Sequence, residues 1–178
     1  GNSKVMVEGV VVAGGFSSRA GGWKMAFDLG GLTVLQRCVL TMSSFCSRVI
    51  VVGGDRYRSL PRLLSKEKYP LVELVYNADY PQGMFSSVLT GFREVRAPRF
   101  FFIPGDYPLV SPSVYRKLLS QEGEAIIPSY QGDTGHPVLF QTAAITELTS
   151  RPGKYNNLRE FIASRQHQYV EVADPGIL

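Results

Sequence analysis

VMVEGVVVAGGFSSRAGGWK, residues 5–24, joins a short apolar run to a loop rich in glycine and positive charge. The run at residues 5–12 is rich in β-branched residues and stops at a Gly-Gly pair, which is typical of a buried strand. The loop that follows holds four glycines, Arg19 and Lys24. Because glycine lets a backbone approach an anion and turn its N–H groups toward it, the loop predicts an anion-binding site directly after the first strand.

This loop departs from two common phosphate-binding motifs. A Walker A loop requires Gly-Lys followed by Ser or Thr, whereas Lys24 lies between Trp23 and Met25. The GxGxxG pattern of dinucleotide sites does not match here either. The alternative interpretation is a flexible surface loop. We favour an anion site because Arg19 can clamp phosphate oxygens with its planar fork and Lys24 adds a compact charge.

Predicted strands alternate with predicted helices along the rest of the chain. The predicted strands cover residues 48–52, 71–76, 99–103, 125–128, 137–140 and 169–172. The predicted helices cover residues 33–44, 55–64 and 84–95, one that starts at 111–112, and two more before the last strand. This alternation predicts an α/β fold: one domain over residues 1–178, with a mostly parallel sheet covered by helices on both faces.

Polar and glycine-rich segments follow the ends of three predicted strands, at residues 14–24, 77–87 and 105–108. In parallel sheets ligands bind outside the carboxyl ends of the strands, so these segments are expected to meet at one edge. Asp106 is a rigidly held carboxylate of the kind that suits Mg²⁺, although Asp is also a common turn residue. Gly83 permits a sharp entry into the helix whose first turn carries Ser86 and Ser87.

Four segments together resemble the nucleotidyltransferases of the molybdenum-cofactor type. The family signature runs Ala–Ala/Gly–Gly–x–Ser–x–Arg–Met/Leu–Gly–x–x–Lys, and the chain departs from it only at Ala20. The matching residues are Ala13, Gly14, Gly15, Ser17, Arg19, Gly21 and Lys24. The segment from Asn77 to Ser87, the Gly-Asp-x-Pro motif around Asp106 and the Gly-His-Pro-Val motif around His136 are similar to later family motifs, in the same order.

The resemblance implies a Rossmann-like three-layer sandwich of the nucleotide-diphospho-sugar transferase type. It implies transfer of a nucleoside monophosphate, CMP from CTP, to a molybdopterin-type acceptor with release of pyrophosphate. The catalytic residues would be Arg19, Lys24 and Asp106, with Mg²⁺ bound by Asp106. The substrate-binding residues would be Ala13, Gly14, Gly15, Ser17, Ser18, Asn77, Gly83, Ser86, Ser87 and, on the acceptor side, His136.

Two departures from the family pattern concern acidic residues. Gly153-Lys154 stands where the family usually has Gly-Asp, and the family's later Asp-x-Asp-Thr-Pro segment is not found. Asp174 is a candidate substitute for a second metal-binding carboxylate. The alternatives left open are a sugar-phosphate or alcohol-phosphate nucleotidyltransferase and a nucleotide-binding sensor without turnover. The choice between CTP and GTP, the acceptor and the oligomeric state are also open.

Composition and charge bear on location and partners. The net charge is +4, but the basic residues are scattered and form no run of five, so nucleic acid is not an expected partner. No apolar stretch approaches the roughly 20 residues that span a bilayer, and no secretory signal is evident.

Cys38 and Cys46 are predicted to be buried thiols on one helix in a reducing cytoplasm. The expected partners are a nucleoside triphosphate and a phosphorylated pterin-type acceptor, with a molybdoenzyme or its chaperone as a further candidate.

Overall fold

The computed structural model describes residues 7–13, 17–18 and 22–178, with the backbone alone at 17, 18, 22 and 24. Eight strands form one sheet: β1 Val7–Val12, β2 Val49–Gly53, β3 Val72–Tyr76, β4 Arg99–Pro104, β5 Ala125–Tyr130, β6 Asp133–Thr134, β7 Val138–Gln141 and β8 His167–Glu171. Two ribbons lie outside it, Ser17–Ser18 with Gly22–Trp23 and Asp28–Leu29 with Leu32–Thr33.

The order across the sheet is β6-β5-β7-β4-β1-β2-β3. The eighth strand, β8, also pairs with β5. β1 is parallel to both β2 and β4, β2 is parallel to β3, and β5 is parallel to β8. β7 runs antiparallel to β4 and β5, and β6 runs antiparallel to β5. The predicted mostly parallel sheet is confirmed, and the sequence pattern did not predict the reversed direction of β7.

Six α-helices accompany these strands in the described residues. They are α1 Val34–Ser43, α2 Leu60–Leu63, α3 Met84–Phe92, α4 Pro112–Leu119, α5 Thr146–Ser150 and α6 Leu158–Ala163. Thr33 caps α1 as predicted, in a reciprocal capping box with Gln36. The predicted helix over 55–64 is wrong in extent, because Pro61 has no N–H to donate to the carbonyl of Tyr57. A 3₁₀ turn, Tyr57–Ser59, precedes α2 instead.

The helices divide between the two faces of the sheet and bury a core on each. On one face α1 and α4 pack Leu35, Val39, Met42, Val114, Tyr115 and Leu118 against β1, β2 and β4. On the other face α3, α5 and α6 cover the sheet. Here Phe92 of α3 lies 4.9–5.6 Å, between ring centroids, from Phe100, Phe102 and Phe140. Burying each such side chain contributes about 1.5–3 kcal/mol, so these contacts fix α3 on the sheet.

The two cysteines are buried, as predicted. Cys38 lies on α1, but Cys46 lies beyond the end of that helix at Ser43, so the prediction that one helix carries both is wrong. Burial raises the pKa of Cys38 to about 12, so its thiol stays protonated at neutral pH. Among the described residues, no helix is long and apolar enough to cross a membrane.

An ion cluster joins three strands near the amino end of β1. Glu8 is buried and accepts hydrogen bonds from the Arg48 side chain at 2.6 Å and from the backbone N–H groups of Arg96 and Ala97 at 2.6 and 2.8 Å. Arg48 also pairs with Glu73 of β3 at 2.7 Å. Burial alone would raise the pKa of Glu8, but the two N–H groups and the guanidinium outweigh it and hold that pKa below its ordinary value.

Candidate active site

The carboxyl ends of β1, β2, β3 and β4 meet at one edge of the sheet. Val12 at the end of β1 pairs in register with Pro104 at the end of β4, and the N–H of Gly105 donates to the Val12 carbonyl at 2.9 Å. Across the next strands, the N–H of Asn77 donates to the carbonyl of Gly53 at 2.8 Å. The segments 77–87 and 105–108 therefore meet at the predicted edge. Ala13, the last described residue before the glycine-rich loop, lies there too.

Asp106 is held at this edge by a tightly packed backbone. A Cβ at Gly105 would lie 3.0 Å from Leu35 Cδ1 and 3.1 Å from Met25 Sδ, so a larger residue would require these side chains to shift by a few tenths of an ångström. Oδ1 of Asp106 is buried and has no hydrogen-bond partner among the described residues. An unpartnered buried oxygen costs about 1–3 kcal/mol, and such groups in native structures call for an explanation such as an absent ion. A hard cation that prefers oxygen ligands fits this position.

A cavity of about 520 Å³ opens next to Asp106 and is called here the reaction cavity. Met84 and Phe85 of α3 line one side, and the start of α6 lines the other. Among the described residues that line it, Asp106 is the only carboxylate and Arg159 is the only Lys or Arg. No group of three His, Cys, Asp or Glu side chains in the described part of the chain could hold a metal ion. Oxygens of a bound substrate and water are further ligands that a hard cation at Asp106 accepts.

His136 closes the reaction cavity on the side of β7. Its ring lies 4.8 Å from the Tyr107 ring and 5.9 Å from the Phe102 ring, between centroids. Its backbone N–H donates to the carbonyl of Ile177 at 2.9 Å, and its Nδ1 is buried without a partner among the described residues. Burial lowers the pKa of His136 to about 4. The imidazole is therefore neutral at pH 7 and suited to one hydrogen bond with a ligand rather than to binding as a cation.

Asn77 is buried and organises the segment that leads into α3. Its Nδ2 donates to the hydroxyls of Ser86 and Ser87, each at 2.9 Å. Its Oδ1 accepts from the Asp79 N–H at 3.0 Å and the Thr90 hydroxyl at 3.2 Å. An amide side chain has two donors and two lone pairs, so all four are engaged. Asn77 therefore holds the turn at 79–83 against α3, and a direct bond from its amide to a nucleotide would require one of these four to break.

Gly83 provides the turn between that segment and α3. Its φ of 106° and ψ of −179° lie in a region that is essentially restricted to glycine. A Cβ there would meet no atom within 4 Å, so backbone conformation rather than crowding requires the glycine. The hydroxyl of Ser86 donates to the Gly83 carbonyl at 2.6 Å and fixes the turn from within. The first turn of α3 is therefore presented at the edge of the reaction cavity.

The sequence matches the family described as the MobA-like NTP transferase domain over residues 9–170. This chain belongs to that family. It is 30% identical over 173 residues to the molybdenum cofactor cytidylyltransferase of Escherichia coli (strain K12), an alignment that spans 97% of this chain and 88% of the relative. The MobA-like chain is a nucleotidyltransferase, as its resemblance implied.

Solved structures agree on the fold. A nucleotidyl transferase from Methanothermobacter superposes with a TM-score of 0.81 at 23% identity, over 96% of this chain and 88% of that one. The manganese complex of Rv0371c from Mycobacterium tuberculosis H37Rv superposes with a TM-score of 0.73 at 20% identity, over 96% and 89% of the two chains. These likenesses confirm the predicted sandwich of helices around a mostly parallel sheet.

Part of the predicted anion loop of this MobA-like chain lies outside the described residues. That holds for Gly14, Gly15 and Arg19 and for the side chains of Ser17, Ser18 and Lys24, whose predicted roles stay predictions. The described residues around Lys24 are well anchored. Trp23 and Met25 are both buried in the core, and a 3₁₀ turn covers Lys24–Ala26. The backbone at Lys24 is thereby fixed between two core side chains.

The structure shows what Asp174 and Lys154 do, the two residues at which the chain departs from the acidic motifs of the family. Both carboxylate oxygens of Asp174 are engaged, one with the N–H of Ser111 at the start of α4 and one with the N–H of Gly176, each at 2.8 Å. Asp174 is therefore a cap, and the suggestion that it substitutes for a metal ligand is not supported. Lys154 pairs with Glu147 on the surface at 2.5 Å. Neither residue lines the reaction cavity.

Sequence reasoning missed Arg159, which lies in the first turn of α6 and lines the reaction cavity opposite α3. Asn157 caps this helix through the N–H of Glu160 at 2.9 Å. The Asn-x-x-Glu spacing could have indicated a helix start here. The spacing alone could not show which face of that helix meets the site.

Proposed function

We propose that this chain transfers CMP from CTP to the phosphate of a pterin-type acceptor and releases pyrophosphate, with residues 1–178 acting as a single nucleotidyltransferase domain. One observation carries the proposal. The buried Oδ1 of Asp106, which has no partner in the described part of the chain, lies beside the end of β1, and the glycine-rich loop follows that strand in the sequence. A cation at Asp106 would then be a neighbour of a polyphosphate bound by the loop.

Asp106 would hold a divalent ion, Mg²⁺ in the proposed reaction, and its free oxygen fits that role. The manganese complex of a protein with the same fold supports a divalent cation. When bound, such an ion offsets the negative charge of the phosphates. Asp106 is the one carboxylate among the described residues at the cavity, so substrate oxygens would complete the ion's ligands, as is common for Mg²⁺.

The residues of the loop would bind the triphosphate. Arg19 and Lys24 would hold the β- and γ-phosphates, and the backbone N–H groups of Gly14, Gly15, Ser17 and Ser18, with Ala13 at the loop entry, would surround their oxygens. An oxygen of the acceptor phosphate forms a bond to the α-phosphorus while the bond from that phosphorus to the β-phosphate bridging oxygen breaks. Pyrophosphate leaves with the electron pair. Positioning and charge neutralisation provide most of the acceleration in such a transfer.

The nucleoside would lie against residues 77–87. Gly83 and the start of α3 would contact it, while hydrogen bonds among Asn77, Ser86 and Ser87 would hold the conformation of the segment. The similarity to a cytidylyltransferase supports CTP over GTP, and Met84 after Gly83 agrees with that branch. His136 would contact the acceptor. The triphosphate substrate supports a cytoplasmic location, and a molybdoenzyme or its chaperone would receive the product.

The test is pyrophosphate release with CTP, GTP, ATP or UTP in turn, with Mg²⁺ and molybdopterin. Asp106→Asn and Lys24→Ala should each lower turnover at least about a hundredfold, because one transition-state contact is worth about 3–4 kcal/mol. Asp133→Asn is the matched control, since Asp133 is exposed on β6, away from the reaction cavity. Melting temperatures check that each variant folds. Wild-type turnover in Asp106→Asn would refute the assignment.

A non-catalytic nucleotide sensor is the second candidate. It is favoured by the scarcity of carboxylates: Asp106 is the only one among the described residues that line the reaction cavity. A sensor would bind CTP with Mg²⁺ tightly and release no pyrophosphate with any acceptor. A sugar-phosphate transferase would instead release pyrophosphate with a sugar phosphate and not with molybdopterin.

A further inference from the structure

A second cavity adjoins the reaction cavity and is called here the ring pocket. It has a volume of about 500 Å³. Tyr107, His136, Leu158 and Arg159 line both cavities and form the boundary between them. Because the boundary is shared, a molecule in the ring pocket could extend a group toward Asp106 without crossing the sheet.

Arg159 is the only Lys or Arg among the described residues of this boundary. Its side chain is exposed and makes no hydrogen bond or ion pair with any other described residue. Nearby cations differ: Arg165 pairs with Glu124 and Lys154 pairs with Glu147. An unpaired guanidinium can bind two oxygens of a phosphate through its planar fork. Its place between the two cavities suits a phosphate that must reach the Asp106 side.

The ring pocket itself is lined by aromatic and aliphatic groups. The rings of Tyr107 and His136 lie 4.8 Å apart, and those of His167 and Tyr169 lie 5.6 Å apart, between centroids. Ile127, Val138 and Ile162 add apolar surface. The unpartnered Nδ1 of His136 offers one hydrogen bond at the boundary. Flat heteroaromatic rings combine π faces with polar edges, so they match this lining better than a sugar does.

We propose that Arg159 binds the phosphate of the acceptor and that the ring pocket holds a flat heteroaromatic body attached to it. The proposal rests on the proposed function for the identity of the attacking phosphate. It deepens that function by separating two groups of cations: Arg19 and Lys24 serve the triphosphate, and Arg159 serves the acceptor. Arg159 thereby determines which acceptor is used rather than which nucleotide.

A binding experiment tests this without turnover. The probes are 6-hydroxymethylpterin and its phosphate ester, titrated by pterin fluorescence. The wild-type chain should bind the ester at least about tenfold more tightly than the alcohol. Arg159→Gln should remove that preference, Arg159→Lys should restore part of it, and Arg151→Gln, at an exposed arginine outside both cavities, should leave it unchanged. The affinity for CTP with Mg²⁺ should be the same in all four proteins.

Several results would overturn the proposal. They are a wild-type chain that binds neither pterin, an Arg159→Gln variant that keeps the preference for the ester, and a loss of CTP affinity in that variant. Tighter binding of glucose 1-phosphate than of the pterin ester would overturn the assignment of the ring pocket. The proposed function can fail separately. If the preference for the pterin ester depends on Arg159 but no pyrophosphate is released with any substrate, the binding site is supported and the transfer reaction is refuted.

Discussion

Replacing Asn77 with Ala tests how the nucleotide segment is held. Asn77 is 2% exposed, and its side chain makes four hydrogen bonds. Two of them reach the hydroxyls of Ser86 and Ser87, and one reaches the backbone of Asp79. All of these partners belong to the segment that we propose to contact the nucleoside. The substitution should therefore affect both stability and nucleotide binding, through the shape of that segment.

The size of the stability effect follows from the four bonds. A hydrogen bond contributes about 0.5–1.5 kcal/mol net, and some partners of Asn77 retain other acceptors or reach water. Ser86 still donates to Gly83, and Thr90 still donates to the Ser86 carbonyl at 2.8 Å. The expected loss is therefore about 2–4 kcal/mol. At about 2–4 °C per kcal/mol for a chain of this size, the melting temperature should fall by about 4–16 °C.

The assay combines thermal unfolding with calorimetric titration of CTP in the presence of Mg²⁺. Asn77→Ala should lower both the melting temperature and, by at least about tenfold, the affinity for CTP. Thr90→Val is the comparison variant. It removes the bonds of the Thr90 hydroxyl to Asn77 and to the Ser86 carbonyl but keeps the Asn77 bonds to Ser86, Ser87 and Asp79, and it should leave CTP affinity unchanged. An unaltered melting temperature together with lost CTP binding would refute the reasoning, since Asn77 would then contact the nucleotide directly.

Two further predictions concern titratable groups. Glu8→Ala should destabilise the fold by about 3 kcal/mol at pH 7, as expected when one partner of a buried ion pair is removed. Because the pKa of Glu8 is lowered below 4.5 in the folded state, its contribution is present above pH 4.5 and is lost as the pH falls further, so urea unfolding of variant and wild type should converge in acid. An equal difference at every pH would contradict this. The half-buried His136, whose Nδ1 is buried and whose pKa burial lowers to about 4, should show no NMR titration of its ring protons between pH 6 and 8; a midpoint near 6.5 would contradict the enclosure of its ring.

The sequence predicted what depends on local pattern. The β-branched run of β1, the alternation of elements and the Thr33 cap each follow from short-range chemistry, and the structure confirms them. Strand ends also predicted that Asp106 and the segment after Asn77 would meet, because parallel strands place their carboxyl ends together. This strand-end rule requires only that the strands be parallel, which the alternation of strands and helices in one sequence predicts. It does not require knowledge of how side chains pack.

The remaining features depend on partners that are distant in sequence. Nothing local to residues 138–141 shows that β7 enters between β4 and β5 in the opposite direction. The Asn77 side chain accepts a hydrogen bond from Thr90, which lies more than one and a half turns into α3. Arg159 reaches the reaction cavity only because α6 packs on the same face as α3. Such features are set by tertiary contacts, which periodicity does not encode.

Two carboxylates, Glu8 on β1 and Asp106 just after β4, show why stability alone does not explain the site. Each carboxylate oxygen of Glu8 accepts at least one hydrogen bond from another residue of the chain. Asp106 has a buried oxygen with no donor in the described structure, and the buried Nδ1 of His136, which lines the same cavity, also lacks a partner there. Unsatisfied buried groups weaken a fold by about 1–3 kcal/mol each. A cation at Asp106 and a hydrogen-bond partner on the ligand at His136 would satisfy both groups, so a ligand set that binds only the folded chain should stabilise it by an amount set by its concentration relative to its Kd.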